Sequence, residues 1–329
     1  MQLINNTDMH ISCESAHELY TKVLQSVTNG ESTPSVKDPK SIGSGWGTRE
    51  RLTRELRYIT LILKNPQNRL INSPFFLLED VISRTVLATL SDVSDVQTMT
   101  FYNPRAPEFS DDGKTIPSNY GYRIRHLNYR NQIDDIIDLL QQDPYSRRAV
   151  IHVHAPGDSE KRYTPCIDSL HFLIRNGSLE CHSLWRSGNA LMLLPINIFE
   201  FTMLQELIAS ELKIPMGQYV HTVTSLHYYL EDQSRFDLAL HTTLSQEAPE
   251  AMRSMPFHSL KQIELLRKFE KALRLNLSDG IDEFAKLSDY WQNLAAVIAY
   301  MIAKKRRDSI SMQYWIRLFP WKRLIKPSN

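Results

Sequence analysis

Cysteine is scarce in this chain of 329 residues, which has only Cys13, Cys166 and Cys181. Three cysteines at those spacings make neither a disulfide framework nor a zinc signature, so no metal site is expected and a reducing compartment is the simpler setting. Charge of one sign is also lacking: the formal net charge is +1, which removes any general electrostatic argument for nucleic acid or an anionic membrane as partner. No stretch approaches the roughly 18–20 uninterrupted apolar residues of a membrane helix. The N-terminal "MQLINNTDMHISCES" has no basic segment followed by an apolar run, as a secretory signal would. These absences predict a cytoplasmic protein. There is also no internal repeat and no low-complexity tract.

What is present, 42% hydrophobic and 23% charged residues, is enough to bury one large core or two modest ones. "SAHELYTKVLQSV" reads as a helix, followed by a polar loop rich in Gly, Ser and Pro. "LRYITLILK" reads as a strand. Leu78, Ile82, Val86 and Leu90 fall at helical spacing within 75–90, and "YNPRAPEFSDDGKTIPSNYGYRI" is a long irregular region of the kind that often carries function. "NQIDDIIDLLQQDP" is an amphipathic helix stopped by Pro144, and "RRAVIHVHAP" a strand. "SLHFLIRN" and "SLECHSLWRS" meet at Asn176-Gly177, a strong hairpin signal. "INIFEFTMLQELIASEL" is apolar on nearly all sides, which describes a buried helix, and "YVHTVTSLHYYL" is a further strand. Beyond about residue 237 the pattern is helical, in "SLKQIELLRKFEKALRL" and "DEFAKLSDYWQNLAAVIAYMIAKKRRD". Residues 304–329 hold eight Lys or Arg against one Asp, either a solvated helix face or a contact for an anion or nucleic acid.

The chemistry-bearing residues concentrate in "TPCIDSLHFLIRNGSLECHSLWRSGN", 164–189. A cysteine entering a strand is most often packing, because free Cys is among the most buried residue types. To be a thiolate it needs nearby positive charge, and Arg147, Arg148 and Arg186 all stand at strand boundaries in this region. Arg186-Ser187 also suits a phosphate, whose oxygens the guanidinium fork matches. His227 and Tyr229, two apart on a strand, project from one face; they are polar tips of a half-buried strand or ligands for a sugar. Asn197 is a helix N-cap or the reader of a base edge.

"TPC...HF", the "RS" pair followed by "PINIF", and "SLHYY" occur in the order and approximate spacing of the thymidylate synthase family, and upstream "NPQNRLI", "YNPRAPEFSDDGK", "NYGYRIR" and "DPYSRRAVI" resemble further family blocks. The resemblance spans about residues 49–232 and implies an α/β fold with a large mixed β-sheet flanked by helices, here with an added helical C-terminal region. The division it suggests is 1–48 for an N-terminal helix and flexible loop, 49–236 for the catalytic core, and 237–329 for a helical extension with a basic end. It implies a homodimer, a pyrimidine nucleotide monophosphate as substrate and 5,10-methylenetetrahydrofolate as carbon donor. It further implies Cys166 as the nucleophile that adds to pyrimidine C6 and Tyr120 as the residue concerned with the C5 proton. Arg186 and Ser187 match phosphate ligands, Arg147 and Arg148 the pair supplied by the partner subunit, and Arg49 a further phosphate arginine. Asn197 matches the base reader and leans towards uracil; His227 and Tyr229 match ribose-hydroxyl ligands.

Four positions depart from the family pattern. In "RTVLATLSD", Thr85 stands where the family has a Glu that handles protons at the base, and Ala88 where it has a Trp beside the folate. Threonine cannot replace a carboxylate base near neutral pH. Asn189 stands in place of the aspartate that lines the folate side, and Ile167 in place of a polar neighbour of the nucleophile. The sequence therefore predicts methylation or hydroxymethylation at C5 of a uridylate-like nucleotide. The alternatives are a catalytically altered nucleotide-binding homologue that senses or recruits, and a nucleic-acid-binding role for the basic C-terminus.

Overall fold

The computed structural model describes residues 10–35, 51–161, 163–277 and 280–325. Strand β1 (His10–Cys13) leads into α1 (Ala16–Thr28), whose Ser15 cap accepts from the Glu18 amide. β2 (Glu31–Ser35) and β3 (Arg51–Leu63) follow, then α2 (Leu78–Arg84), α3 (Val96–Tyr102), α4 (Tyr120–His126) and α5 (Gln132–Gln142). β4 (Val150–His152), β5 (Ile167–Arg175), β6 (Ser178–Trp185) and β7 (Gly188–Asn189) precede α6 (Leu194–Leu212) and β8 (Met216–Tyr229). The remainder is helical: α7 (Gln233–Ser245), α8 (Leu260–Leu275), α9 (Gly280–Ala285), α10 (Asp289–Arg306) and α11 (Ser309–Trp315).

The strands form one mixed sheet in the order β1-β3-β8-β6-β5-β4, with β2 on β3 and β7 on β8. Asn176 and Gly177 take φ of 50° and 72°, the left-handed pair that a tight hairpin needs, and they set β5 antiparallel to β6. β6 alternates half-buried and buried residues along its whole length, so one sheet face is covered and the other is not. The cover is α6, which is buried from Leu194 to Ser210 apart from Ile196. As the sequence indicated, a helix apolar all round lies inside the core.

The expected helix over 75–90 is corrected in two respects. It begins at Leu78, and from Thr85 to Leu90 it widens into a π-helical turn, closed by Ser91 N donating to Val86 O at 3.0 Å. The extra residue per turn, a frequent mark of functional sites, leaves the carbonyls of Thr89, Leu90 and Ser91 facing Arg125, whose guanidinium donates to all three. The long C-terminal helix expected from Asp282 is divided between α9 and α10, which restarts after Ser288 in extended conformation. The strand read in "RRAVIHVHAP" shrinks to the three residues of β4.

The C-terminal helices share one hydrophobic cluster with the sheet and α6, through residues such as Trp291, Leu294 and Ile298. Lys304 pairs with Glu79 at 2.7 Å, Lys305 donates to Tyr102 O, and Arg306 donates to the carbonyls of Leu273 and Arg274 that end α8. Those three contacts tie the end of α10 to α2, α3 and α8, while Lys305 and Arg306 stay exposed. No helix among the described residues is long and apolar enough to cross a membrane.

α4 lies directly on the π turn, and the approach depends on Gly121. A Cβ there would stand 1.7 Å from Ser91 O, 2.8 Å from Thr89 O and 2.9 Å from Ala88 O. All three obstacles are backbone, so the helix must move to admit a methyl group. Gly121→Ala is expected to lower stability by about 1–3 kcal/mol, read as a lower urea midpoint at unchanged slope.

Candidate active site

Cys13 and Cys181 are buried, whereas Cys166 is only half-buried at the entry of β5. That distinction weakens the packing interpretation for Cys166 alone. Its carbonyl accepts from the Arg186 amide at 3.0 Å, and the Arg186 side chain donates to Pro165 O at 2.9 Å and Thr164 O at 3.0 Å. The end of β6 therefore ties down the loop that presents the thiol. Burial pushes the Cys166 thiol up from its ordinary value, while the charges of Arg186 and then Arg84 pull it down. Of the three arginines expected beside the cysteine, only Arg186 is among its charged neighbours; the second cation is Arg84, from the last turn of α2.

Arg84 interacts electrostatically with Glu200, Tyr120 and Cys166. Burial opposes its charge, but Glu200, Tyr120 and Cys166 outweigh that and hold the guanidinium above its ordinary value. Tyr120, the first residue of α4, lies against Phe201 and Trp185, with ring centroids 5.4 and 6.1 Å away. Burial and then the Cys166 charge push its phenol up, with Arg84 opposing, so Tyr120 is a neutral hydroxyl at physiological pH.

The residues expected to bind sugar and phosphate are placed by strand register. β7 pairs with β8 so that Gly188 faces Leu226 and Asn189 faces His227, and Ala190 N donates to His227 O at 2.7 Å. This sets Ser187 at the strand end beside the His227 segment. The His227 and Tyr229 rings lie 5.4 Å apart on one face of β8. Burial lowers His227 from its ordinary value, which favours the neutral imidazole. Tyr229 is pushed up by burial and senses both Arg51 and Cys166, tying this end of β8 to the cysteine.

Asn197 is not the cap of α6, since the helix starts at Leu194 with Leu193 in the cap position. It lies in the first turn, 3% exposed, and its side-chain oxygen has no donor. An unsatisfied buried acceptor costs about 1–3 kcal/mol, which a ligand N–H would recover. Glu200, one helical turn further on, is also fully buried; its Oε1 accepts from Arg84 Nε at 2.7 Å and Thr89 Oγ1 at 3.2 Å, while Oε2 has no donor.

The positions expected to depart from the family pattern take structural places. Thr85 is fully buried with its hydroxyl unsatisfied, and Ala88 is 6% exposed, both in the π turn. Asn189 Oδ1 accepts from Met192 N at 2.7 Å, bracing the turn into α6. Arg147 and Arg148 are exposed and are not brought to Cys166. Arg147 instead lines a shallow cavity on the open sheet face with His171, Arg175 and His182. Arg49 lies outside the described residues. No group of three or more His, Cys, Asp or Glu among the described residues could hold a metal ion.

Sequence reasoning missed Arg51, Arg84 and Glu200. Arg51, at the start of β3, lies over the Tyr229 ring at 4.3 Å and pairs with Glu231. Strand alternation carries a signal for it: Thr53 faces Tyr229 across the β3–β8 ladder, and Arg51 lies two residues along on the same face. For Glu200 the signal was a carboxylate in the most apolar stretch of a largely apolar helix, which further along also carries Glu206 and Glu211.

Cys166 is the one cysteine that is not buried, so alkylation by iodoacetamide should report it selectively. Because its thiol is raised, labelling is expected to be slow at neutral pH and to accelerate as the thiolate forms in the alkaline range. Arg186→Met removes the largest opposing charge and should displace the labelling profile to higher pH. An unchanged profile would mean that Arg186 does not tune the thiol.

The thymidylate synthase family model matches residues 83–283. Among curated proteins, the chain is 32% identical to a deoxyuridylate hydroxymethyltransferase of Delftia phage PhiW-14, over 54% of each chain. It is 30% identical to a protein of the same name from Bacillus phage SP01, over 56% of this chain and 52% of that one. A thymidylate synthase of Mycoplasma pneumoniae is 30% identical over 37% of this chain and 42% of its own. The chain spans about half the length of the curated relatives it matches. The match to the family model runs from the π turn through the cysteine strand and the buried helix to α9, and on that extent the chain belongs to the thymidylate synthase family.

Proposed function

We propose that this chain transfers a one-carbon unit to C5 of a uridylate-like nucleotide through a covalent adduct of Cys166 at C6. The observation that carries the proposal is the half-buried Cys166 thiol with Arg186 and Arg84 as its cations and Tyr120 in the same electrostatic cluster. Pyrimidine C5 is a poor nucleophile until a thiolate adds at C6 and makes it enolate-like, which splits one hard step into easier ones. In this reading Arg186 and Ser187 bind phosphate, His227 and Tyr229 hold the ribose hydroxyl, and the Asn197 oxygen accepts the N3–H of uracil. Tyr120, a neutral phenol within electrostatic reach of Cys166, handles the C5 proton.

Methylenetetrahydrofolate would supply the electrophilic carbon. Leu193, an exposed apolar side chain at the entry of α6, would flank it together with Ala88. Ala88 provides no aromatic ring, and the Asn189 oxygen is engaged by Met192, so the chain offers folate fewer polar and stacking contacts than the family pattern.

A homodimer over the open sheet face would bring Arg147 and Arg148 to the partner's phosphate. Their exposure and the position of Arg147 on that face support this arrangement.

The test is incubation of the protein with dUMP, UMP, dCMP and CMP, with and without methylenetetrahydrofolate, followed by mass spectrometry. Uridylate is expected to gain a CH2 or a CH2O unit only when folate is present, and Cys166→Ala to abolish the gain. Absence of product from every nucleotide would refute the proposal. Exchange of the C5 hydrogen with deuterated solvent reports thiolate addition independently of folate.

A further inference from the structure

We propose that Glu200 is the general base of this site, activating water to complete the reaction as a hydroxymethylation. The inference rests on the one-carbon transfer proposed above and deepens it by assigning the missing carboxylate and the product. The family position for a carboxylate beside the base is occupied by Thr85, whose hydroxyl is buried and unsatisfied. Glu200 reaches the same π turn from the other side: α6 packs on residues 85–90, and Glu200 Oε1 accepts from Thr89 Oγ1 in that turn. A carboxylate has thus moved from the π turn to the helix facing it.

The two oxygens of Glu200 have different surroundings. Oε1 is fixed by Arg84 and Thr89, whereas Oε2 is buried without a donor. Asn197, three residues earlier on the same helix face, also presents a buried oxygen without a donor. If Glu200 served only to pair with Arg84, both of its oxygens could be satisfied within the protein. A free carboxylate oxygen beside a free amide oxygen instead suits a ligand that brings one N–H and one O–H. Uracil N3–H supplies the first and a water molecule the second.

Arg84 connects this water site to the reacting centre, since its charge is coupled to Glu200, Tyr120 and Cys166 together. With the pyrimidine held by the Cys166 thioether at C6 and bearing an exocyclic methylene at C5, the water O–H bond breaks and its proton goes to Glu200 Oε2. The oxygen forms a bond to the methylene carbon, and the displaced π pair passes to C5 and O4. That pair then re-forms C5=C6 as the C6–S bond breaks, releasing the Cys166 thiolate and the hydroxymethyl product. No external oxidant or reductant is consumed.

The test compares wild type, Glu200→Gln and Glu200→Asp in two assays with a uridylate substrate: C5 hydrogen exchange without folate and product formation with methylenetetrahydrofolate. Wild type is expected to yield the CH2O product. Glu200→Gln should lower product formation on the order of 10²–10⁴-fold, the usual contribution of a general base, and lower exchange far less. Glu200→Asp should recover part of the product rate, which also excludes misfolding as the cause. Equal product rates for wild type and Glu200→Gln would overturn the proposal and leave Glu200 as a structural partner of Arg84. A CH2 product from wild type would also overturn it while leaving the one-carbon transfer standing. Failure of wild type in both assays would instead refute the function on which it rests.

Discussion

β8 is the constraint on which the rest of the structure depends. It pairs with β3 along one edge and with β6 and β7 along the other. A strand fixed on both edges cannot slip by one residue without turning its buried set outward. His227 and Tyr229 are therefore held on one face near the link from β6 to β7 that carries Arg186 and Ser187. Covering the other sheet face, α6 carries Asn197 and Glu200 into the core. The site is assembled where this strand end, the cysteine loop and the first turns of α6 converge.

The electrostatics of the site follow from burial. A half-buried thiol is driven towards its neutral form, so cations have to be built in beside it, and the fold supplies them from two separate elements: Arg186 at the end of β6 and Arg84 at the end of α2. Arg84 itself needs an anion, which Glu200 provides from within an apolar helix. The Glu200 carboxylate is fully buried against an Arg84 side chain that stays 39% exposed, and a buried charge is seldom a source of net stability. Its presence in a helix otherwise suited to hydrophobic packing, with one carboxylate oxygen still unsatisfied, is understandable as a cost borne for chemistry. The π turn belongs to the same arrangement, because it directs Thr89 to Glu200 and its last carbonyls to Arg125.

The elements with strong local signals were legible in the sequence. The Asn176-Gly177 hairpin needed only two residues able to take positive φ, and the buried helix over 194–212 announced itself by apolar residues on every face. Cys166, Arg186, Ser187, His227 and Tyr229 were legible through ordered motifs, each only a few residues long. Less legible were features made by distant partners. The π turn has no local signature separable from an α-helix of the same composition. The division between α9 and α10 was masked by a continuous helical pattern, and Asn197 read equally well as a cap.

The sequence by itself determined the inventory: a fold with a mixed sheet around a largely apolar helix, and a cysteine among arginines. Periodicity and short motifs suffice for that, because they reflect interactions within one element or along one strand. Only the tertiary structure decided which charges meet. Arg147 and Arg148 look as close to Cys166 in the sequence as Arg186 does, yet they lie elsewhere, while Arg84 and Glu200, 116 residues apart, meet beside Cys166. Coulomb interactions and desolvation act through space between separate elements, and nothing in the chain's local pattern records those distances.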